Sequence, residues 1–221
     1  MKIYQFGGAL VKDACGVRNL KEIVARAGDD LLVVVSAMGE TTNTLERIVA
    51  TLAQKDEATA ESEWLNFLDF HVYLAMELGL KPNEDVRFPM MPEYDHSYSY
   101  DQNYDQIVSL GEILFTQIVA VYLLKSGIRT EWWNMPKLLR TDNTFREAKV
   151  DVPTSSQVIR AGWNRPNRPS VVVTPGIIGG TADGLRTTLG RDGIDHTVTL
   201  LGNILDAESV TIWKDALNTD Y

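Results

Sequence analysis

Apolar positions along the chain fall into two kinds of run. Short continuous ones, over Lys2–Phe6, Leu31–Val35, 129–133, 170–173 and 210–213, are bounded by glycine, aspartate and other turn formers. The Leu31–Val35 run carries no polar residue at all, which fits a strand covered on both faces of a parallel sheet. Longer stretches space their apolar residues three and four apart and predict helices over 18–26, 44–52, 58–80, 106–125 and 192–205. Gly28-Asp29-Asp30 stops the first helix, and 36–43 reads as a loop. Between 81 and 105 the pattern is lost. That segment is rich in Pro, Tyr and Asp and fits a substrate flap or a contact between subunits. Strands alternating with helices predict an α/β fold on a largely parallel sheet. With no internal repeat, low-complexity tract or linker, one domain with an elaborated central segment is expected.

Composition narrows the functional classes. The chain has 221 residues, 44% hydrophobic and 23% charged, enough for a substantial core without disulfides or structural metals. Its 30 acidic and 21 basic residues give a net charge of −9, which argues against a nucleic-acid partner. No uninterrupted apolar run approaches the roughly 18 residues of a membrane span, and the N-terminal apolar stretch is too short for a signal peptide. A soluble cytoplasmic protein with no membrane partner is expected. Cys15 is the sole cysteine, which excludes an intramolecular disulfide and a multi-cysteine zinc site; an ordinary packed thiol is its expected state. His71, His96 and His196 are scattered and set out no metal pattern. The tryptophans are expected in the core or at an interface.

Three glycine-bearing segments carry the candidate chemistry. In Phe6-Gly7-Gly8-Ala9, two glycines after a strand let the backbone turn sharply and aim N–H groups at an anion. A plain strand-to-helix turn uses the same residues. Residues 35–43, Val-Ser-Ala-Met-Gly-Glu-Thr-Thr-Asn, leave the second strand where ligands of open α/β sheets collect. Ser36, Thr41 and Thr42 can hydrogen-bond a polar ligand there, or a threonine can cap the next helix. Residues 174–195 hold six glycines among 22 residues, with Arg186 and Arg191. Asp183-Gly184 fits a hairpin turn. Gly190-Arg191-Asp192-Gly193 opens a predicted helix, where free N–H groups favour anions, and Arg191 can clamp a carboxylate or phosphate with two donors. A structural hairpin with a surface arginine is the other reading. Glu112 lies early in a predicted helix beside Leu110, Ile113 and Leu114; a solvated glutamate near a helix terminus is the simplest account from those residues alone.

Taken in order, these blocks resemble the aspartate kinases of the amino acid kinase family. The resemblance runs over 1–221: Phe6-Gly7-Gly8, Val-Ser-Ala-Met-Gly at 35–39, Gly-Glu-Ile-Leu at 111–114, Glu131-Trp132, Arg140-Thr141-Asp142, Phe145, 176–179, Thr-Thr-Leu-Gly-Arg at 187–191 and Ile-Trp-Lys-Asp at 212–215. It implies a three-layer αβα sandwich around a mostly parallel sheet. It implies transfer of the γ-phosphoryl of Mg-ATP to the side-chain carboxylate of L-aspartate, the first step toward lysine, threonine and methionine. Such transfer rests on positioning and charge neutralisation. Under the resemblance, Gly7, Gly8 and Ala9 meet the phosphates and Asp215 lies near the nucleotide. Arg191 holds the aspartate α-carboxylate and Glu112 its ammonium. Ser36 and Thr42 line the substrate site, and Asp195 orders the catalytic centre. ATP with Mg2+, bound with the nucleotide, and a homodimer are implied; no dedicated metal-ligand set is assigned. The family's catalytic domain continues beyond the position of Tyr221 and regulatory ACT domains follow, so 1–221 is expected to be a catalytic domain shortened at its C-terminal side.

The chain departs from the family pattern at several positions. Where the family reads Lys-Phe-Gly-Gly-Thr-Ser, this chain has Gln5-Phe6-Gly7-Gly8-Ala9-Leu10, and the absent lysine normally bridges phosphates and substrate carboxylate. Arg-Gly-Gly-Ser-Asp has become Arg191-Asp192-Gly193-Ile194-Asp195, which adds a negative charge and removes a hydroxyl. Trp-Thr-Asp has become Trp213-Lys214-Asp215, and Lys214 is a candidate substitute for the missing cation. Lys2 sits on the opposite strand face from Gln5. Two readings stand: a divergent aspartate kinase with Gln5, Lys214 and Asp195 as catalytic residues, and a catalytically impaired homologue that binds an amino acid or serves as a regulatory subunit. A kinase for another acidic substrate is disfavoured by the Ser-Ala-Met-Gly and Thr-Thr-Leu-Gly-Arg blocks.

Overall fold

The computed structural model describes residues 1–28, 30–190 and 193–213. The short apolar runs are strands. β1 (Lys2–Phe6), β2 (Leu31–Val35), β3 (Thr130–Trp132), β4 (Val171–Pro175) and β7 (Ser209–Trp213) form one parallel sheet in the order β3-β4-β2-β1-β7. β5 (Ile178–Gly180) and β6 (Arg186–Thr188) form a separate antiparallel hairpin. Its loop contains Asp183-Gly184, with Gly184 at φ +86°, as the sequence signals.

Alternation along the strands feeds two cores. Phe6, Leu31, Val33, Val35, Val171 and Val173 face α1 (Ala14–Ala27), α2 (Thr41–Ala53), α3 (Glu57–Glu77) and α4 (Tyr100–Lys125). Ile3, Leu32, Val34 and Val172 face α5 (Met135–Leu138), α6 (Val152–Trp163) and α7 (Gly193–Ile204). The architecture is therefore the expected three-layer αβα sandwich. Every β2 side chain is at most 1% exposed. That explains why the run has no polar position, and each such burial stabilises by about 1.5–3 kcal/mol.

Helix boundaries depart from the apolar pattern where polar caps set them. α1 begins at Ala14 because the Asp13 carboxylate accepts the Gly16 N–H at 2.8 Å. Cys15 is exposed on this first turn rather than packed. α2 takes in Thr41 to Asn43, which the pattern assigns to a loop. α4 begins at Tyr100, where Ser99 and Gln102 form a reciprocal capping box over polar residues. Glu112 consequently stands mid-way along a 26-residue helix, not near its start. α6 has no counterpart in the predicted elements; Asp151 caps it and Pro153 sits in its first turn. Within α4 an 18-residue stretch has a mean hydropathy of 2.0, long and apolar enough to cross a membrane by length and composition, but 67% of that stretch is buried inside the protein, as in a core helix.

A buried histidine lies beside the first core. His71 on α3 is fully buried against Phe67 and Phe70. Its Nδ1 lies 2.8 Å from the Phe67 carbonyl, and Nε2 has no partner among the described residues. Burial pushes its pKa down to about 4, so the ring is neutral at neutral pH and Nδ1 is the donor.

Candidate functional site

β1, β2 and β4 end level with one another, since Phe6 pairs with Val35 and Val35 with Pro175. The loops that follow therefore leave the sheet along one edge. At β1 the neighbours also diverge, with β2 and β4 on one side and β7 on the other. Open α/β sheets bind ligands in the crevice outside such strand ends.

Backbone fit draws the first two loops together. A Cβ on Gly8 would lie 2.4 Å from the Ala37 carbonyl oxygen, and the Gly39 N–H donates to the Gly8 carbonyl at 3.4 Å. Gly7 has open space around it, and Ala9 is exposed. The close approach thus requires glycine at 8, while packing makes no such demand at 7. Gly8→Ala is expected to destabilise the protein by about 1–3 kcal/mol and to lower its melting temperature by several degrees. An unchanged melting curve would show that the two loops are not in contact there.

Glu112 closes the other side. A Cβ on Gly111 would lie 2.6 Å from Thr41 Cγ2, so glycine there lets α4 pack hard against α2. The Glu112 carboxylate is 2% exposed. It accepts the Ala37 N–H at 3.3 Å and the Gly176 and Ile177 N–H groups at 3.0 Å. One side chain thereby joins the loop after β2 to the loop after β4. Burial pushes its pKa up to about 7, against the opposing pull of the three N–H donors. The solvated helix-end glutamate that its neighbours suggest is not what forms, because the capped polar turns before it extend α4. Beside Glu112, the residues Ser36, Thr42, Asn43 and Ile177 line a cleft of about 200 Å³. Ser36, Thr42 and Glu112 are thus brought together. A buried carboxylate beside hydroxyl groups suits the ammonium of a small polar ligand.

Gln5 and Asp195 form a second part of the site. Gln5, the penultimate residue of β1, donates from Nε2 to Asp195 Oδ1 at 2.6 Å, reaching the first turn of α7. Gln5 is 4% exposed, and its Oε1 has no partner among the described residues. Asp195 is exposed, and among the described residues no cation pairs with it. Ile194 occupies space over Gly176, where a Cβ would lie 2.7 Å from Ile194 Cγ1, so the residue that replaces a hydroxyl is used in packing. Arg191, Asp192, Lys214 and Asp215 lie outside the described residues.

A larger cavity of about 530 Å³ adjoins the cleft through Thr42 and Ile177, with Phe145, Arg146 and Thr188 in its walls. Asp105 holds those walls. It is fully buried and accepts the Arg146 and Thr188 N–H groups at 2.9 Å each and the Thr188 hydroxyl at 2.6 Å. Burial raises its pKa above the usual aspartate value. Sequence reasoning passes over Asp105 because it falls at the end of the irregular segment. Its seven-residue spacing from Glu112, which puts both on one helix face, becomes visible only once α4 is extended.

The sequence model of the Amino acid kinase family matches residues 1–216. The chain belongs to the amino acid kinase family. Lysine-sensitive aspartokinase 3 of Escherichia coli (strain K12) is 28% identical to it over 221 residues, covering 96% of this chain and 48% of that protein. Aspartokinase 2, chloroplastic, of Arabidopsis thaliana is 28% identical, covering 96% of this chain and 41% of its own length. Within the family, the crystal structure of E. coli aspartokinase III in complex with aspartate and ADP matches with a TM-score of 0.73 at 25% identity, over 97% of this chain and 49% of that one. E. coli aspartokinase III in complex with lysine and aspartate shares the fold with a TM-score of 0.78 at 24% identity, over 97% and 49% of the two chains. This member of the family spans less than half the length of these two relatives.

Proposed function

We propose that this chain is the catalytic domain of an aspartate kinase, phosphorylating the side-chain carboxylate of L-aspartate with ATP as the first step toward lysine, threonine and methionine. The observation that carries the reading is Glu112, a buried carboxylate fixed by three N–H groups at the strand ends. It would take the ammonium of aspartate, with Ser36 and Thr42 supplying hydroxyls and Arg191 the α-carboxylate clamp. The complex of E. coli aspartokinase III with aspartate and ADP supports both ligands. Gly7, Gly8 and Ala9 would lie beside the phosphates and Asp215 near the nucleotide. A side-chain oxygen of aspartate attacks the γ-phosphorus, the bond to the β-phosphate oxygen breaks, and ADP leaves. The chain's part is to align the two anions and offset their charge. Asp195 and the Gln5 Oε1, which has no partner among the described residues, offer oxygen atoms that suit Mg2+ arriving with the nucleotide, which would supply charge neutralisation. A cytoplasmic homodimer belongs to the same proposal.

The Gln5–Asp195 hydrogen bond, which sets a neutral amide where the family pattern has a lysine, favours a second reading, a catalytically impaired homologue that binds the amino acid or acts as a regulatory subunit. Calorimetric titration with L-aspartate, alongside an assay for ADP release, separates the two. Binding is expected to weaken by up to about tenfold per pH unit below 7, because Glu112 must release a proton to meet an ammonium. Glu112→Gln should remove that pH dependence. Binding without ADP release selects the impaired homologue that binds the amino acid, and absence of binding overturns both it and the aspartate kinase.

A further inference from the structure

Six described residues other than glycine adopt positive φ: Asp30, Lys55, Asn83, Arg146, Asn167 and Asp206. Four are Asn or Asp, which tolerate that conformation. Lys55 directly follows the C-cap of α2, an ordinary place for it. Arg146, at φ +68°, fits neither account. Its backbone is pinned by the N–H donated to buried Asp105, so glycine would suit the position better. Strain of this kind collects at ligand sites.

The side chain supplies the reason to keep an arginine. Its guanidinium lies 4.3 Å from the centre of the Tyr104 ring, and the Tyr104 hydroxyl donates to Glu46 at 2.5 Å, which fixes the ring. Arg146 lines the 530 Å³ cavity, where it is the one cation among the described lining residues. Its acidic partner is Asp101 at 3.4 Å, with the two side chains 48% and 54% exposed. An exposed pair of that kind is weak, so the guanidinium can be shared with a ligand. The cavity begins at Thr42 and Ile177, the residues that also border the Glu112 cleft.

We infer that Arg146 is a specificity-determining residue that receives a carboxylate of the acidic substrate, with its planar fork of donors supported on Tyr104. The inference rests on the proposed binding of aspartate, and one set of measurements keeps the two separable. L-aspartate is titrated calorimetrically into the unaltered chain, Arg146→Gly and Arg146→Lys, and the melting temperature of each is recorded. Arg146→Gly is expected to bind at least about tenfold more weakly, with its melting temperature held because the backbone strain is relieved. Arg146→Lys should fall between. Equal affinity in Arg146→Gly would overturn the inference and leave the proposed function standing. A large drop in melting temperature accompanying the weaker binding would assign Arg146 a structural role and overturn it as well. No binding by the unaltered chain would remove both.

Discussion

Gln5→Lys should raise the formation of aspartyl phosphate, trapped with hydroxylamine, by up to about a thousandfold. One positive charge about 4 Å from the transferring phosphoryl contributes up to roughly 4 kcal/mol at an effective dielectric of 20, and that energy, acting wholly on the transition state, is about three powers of ten in rate. The position is prepared for it. The Gln5 side chain already meets Asp195 at 2.6 Å, and its Oε1 is buried without a described partner. An ammonium there would pair with the carboxylate and eliminate the stranded acceptor, so the variant should be at least as stable as the unaltered chain. High activity before the substitution would make a lysine at 5 dispensable, and Lys214→Ala would then show whether Lys214 supplies the charge. Inactivity of both proteins would turn attention to the identity of the substrate.

Removing the Glu112 carboxylate should cost the fold several kcal/mol of stability. Glu112→Ala strands two buried N–H groups and a part-buried one, each worth on the order of 1 kcal/mol when left unpaired. The expected loss is at least about 3 kcal/mol, together with aspartate binding. The milder Glu112→Gln exposes a pH effect. The folded chain retains the Glu112 proton up to about pH 7, whereas the unfolded value is 4.5; between those values the folded state binds more protons, and stability falls as pH rises. Asp105, raised by burial, acts in the same sense. His71 acts oppositely: its pKa is about 4 folded and 6.5 unfolded, so its contribution to stability rises with pH over that range. Each swing is about 3 kcal/mol, and they offset between pH 4.5 and 6.5. Urea unfolding at the two pH values should therefore show Glu112→Gln gaining stability relative to the unaltered chain as pH rises, and His71→Leu losing it. Parallel profiles for all three proteins would mean that both groups titrate as they do in the unfolded chain.

The layering of the fold was legible because burial on both faces leaves a plain trace: Leu31–Val35 has no polar residue and no exposed side chain. The hairpin was legible through Asp183-Gly184. The starts of α1, α4 and α6 were not, since Asp13, Ser99 and Asp151 act through hydrogen bonds to the backbone and leave no apolar periodicity. The candidate site followed the same division. Gly8, Ser36 and Thr42 announced themselves by position after strands, whereas Glu112 looked like a surface residue until α4 acquired its first turns. Arg146 carries no local signal, because what singles it out is a backbone angle and a cavity wall.

Asp105 and Glu112 stand seven residues apart on α4, about two turns and 10 Å along its axis. One is tied to the end of β6 and the other to the ends of β2 and β4. The interval is a ruler with both ends clamped. Adding or deleting one residue inside it would turn one carboxylate about 100° away from its partners, with no compensating slide available. Length changes in the course of descent should thus accumulate in the 81–99 segment, and the helix between these two acids should pass them on without a gap.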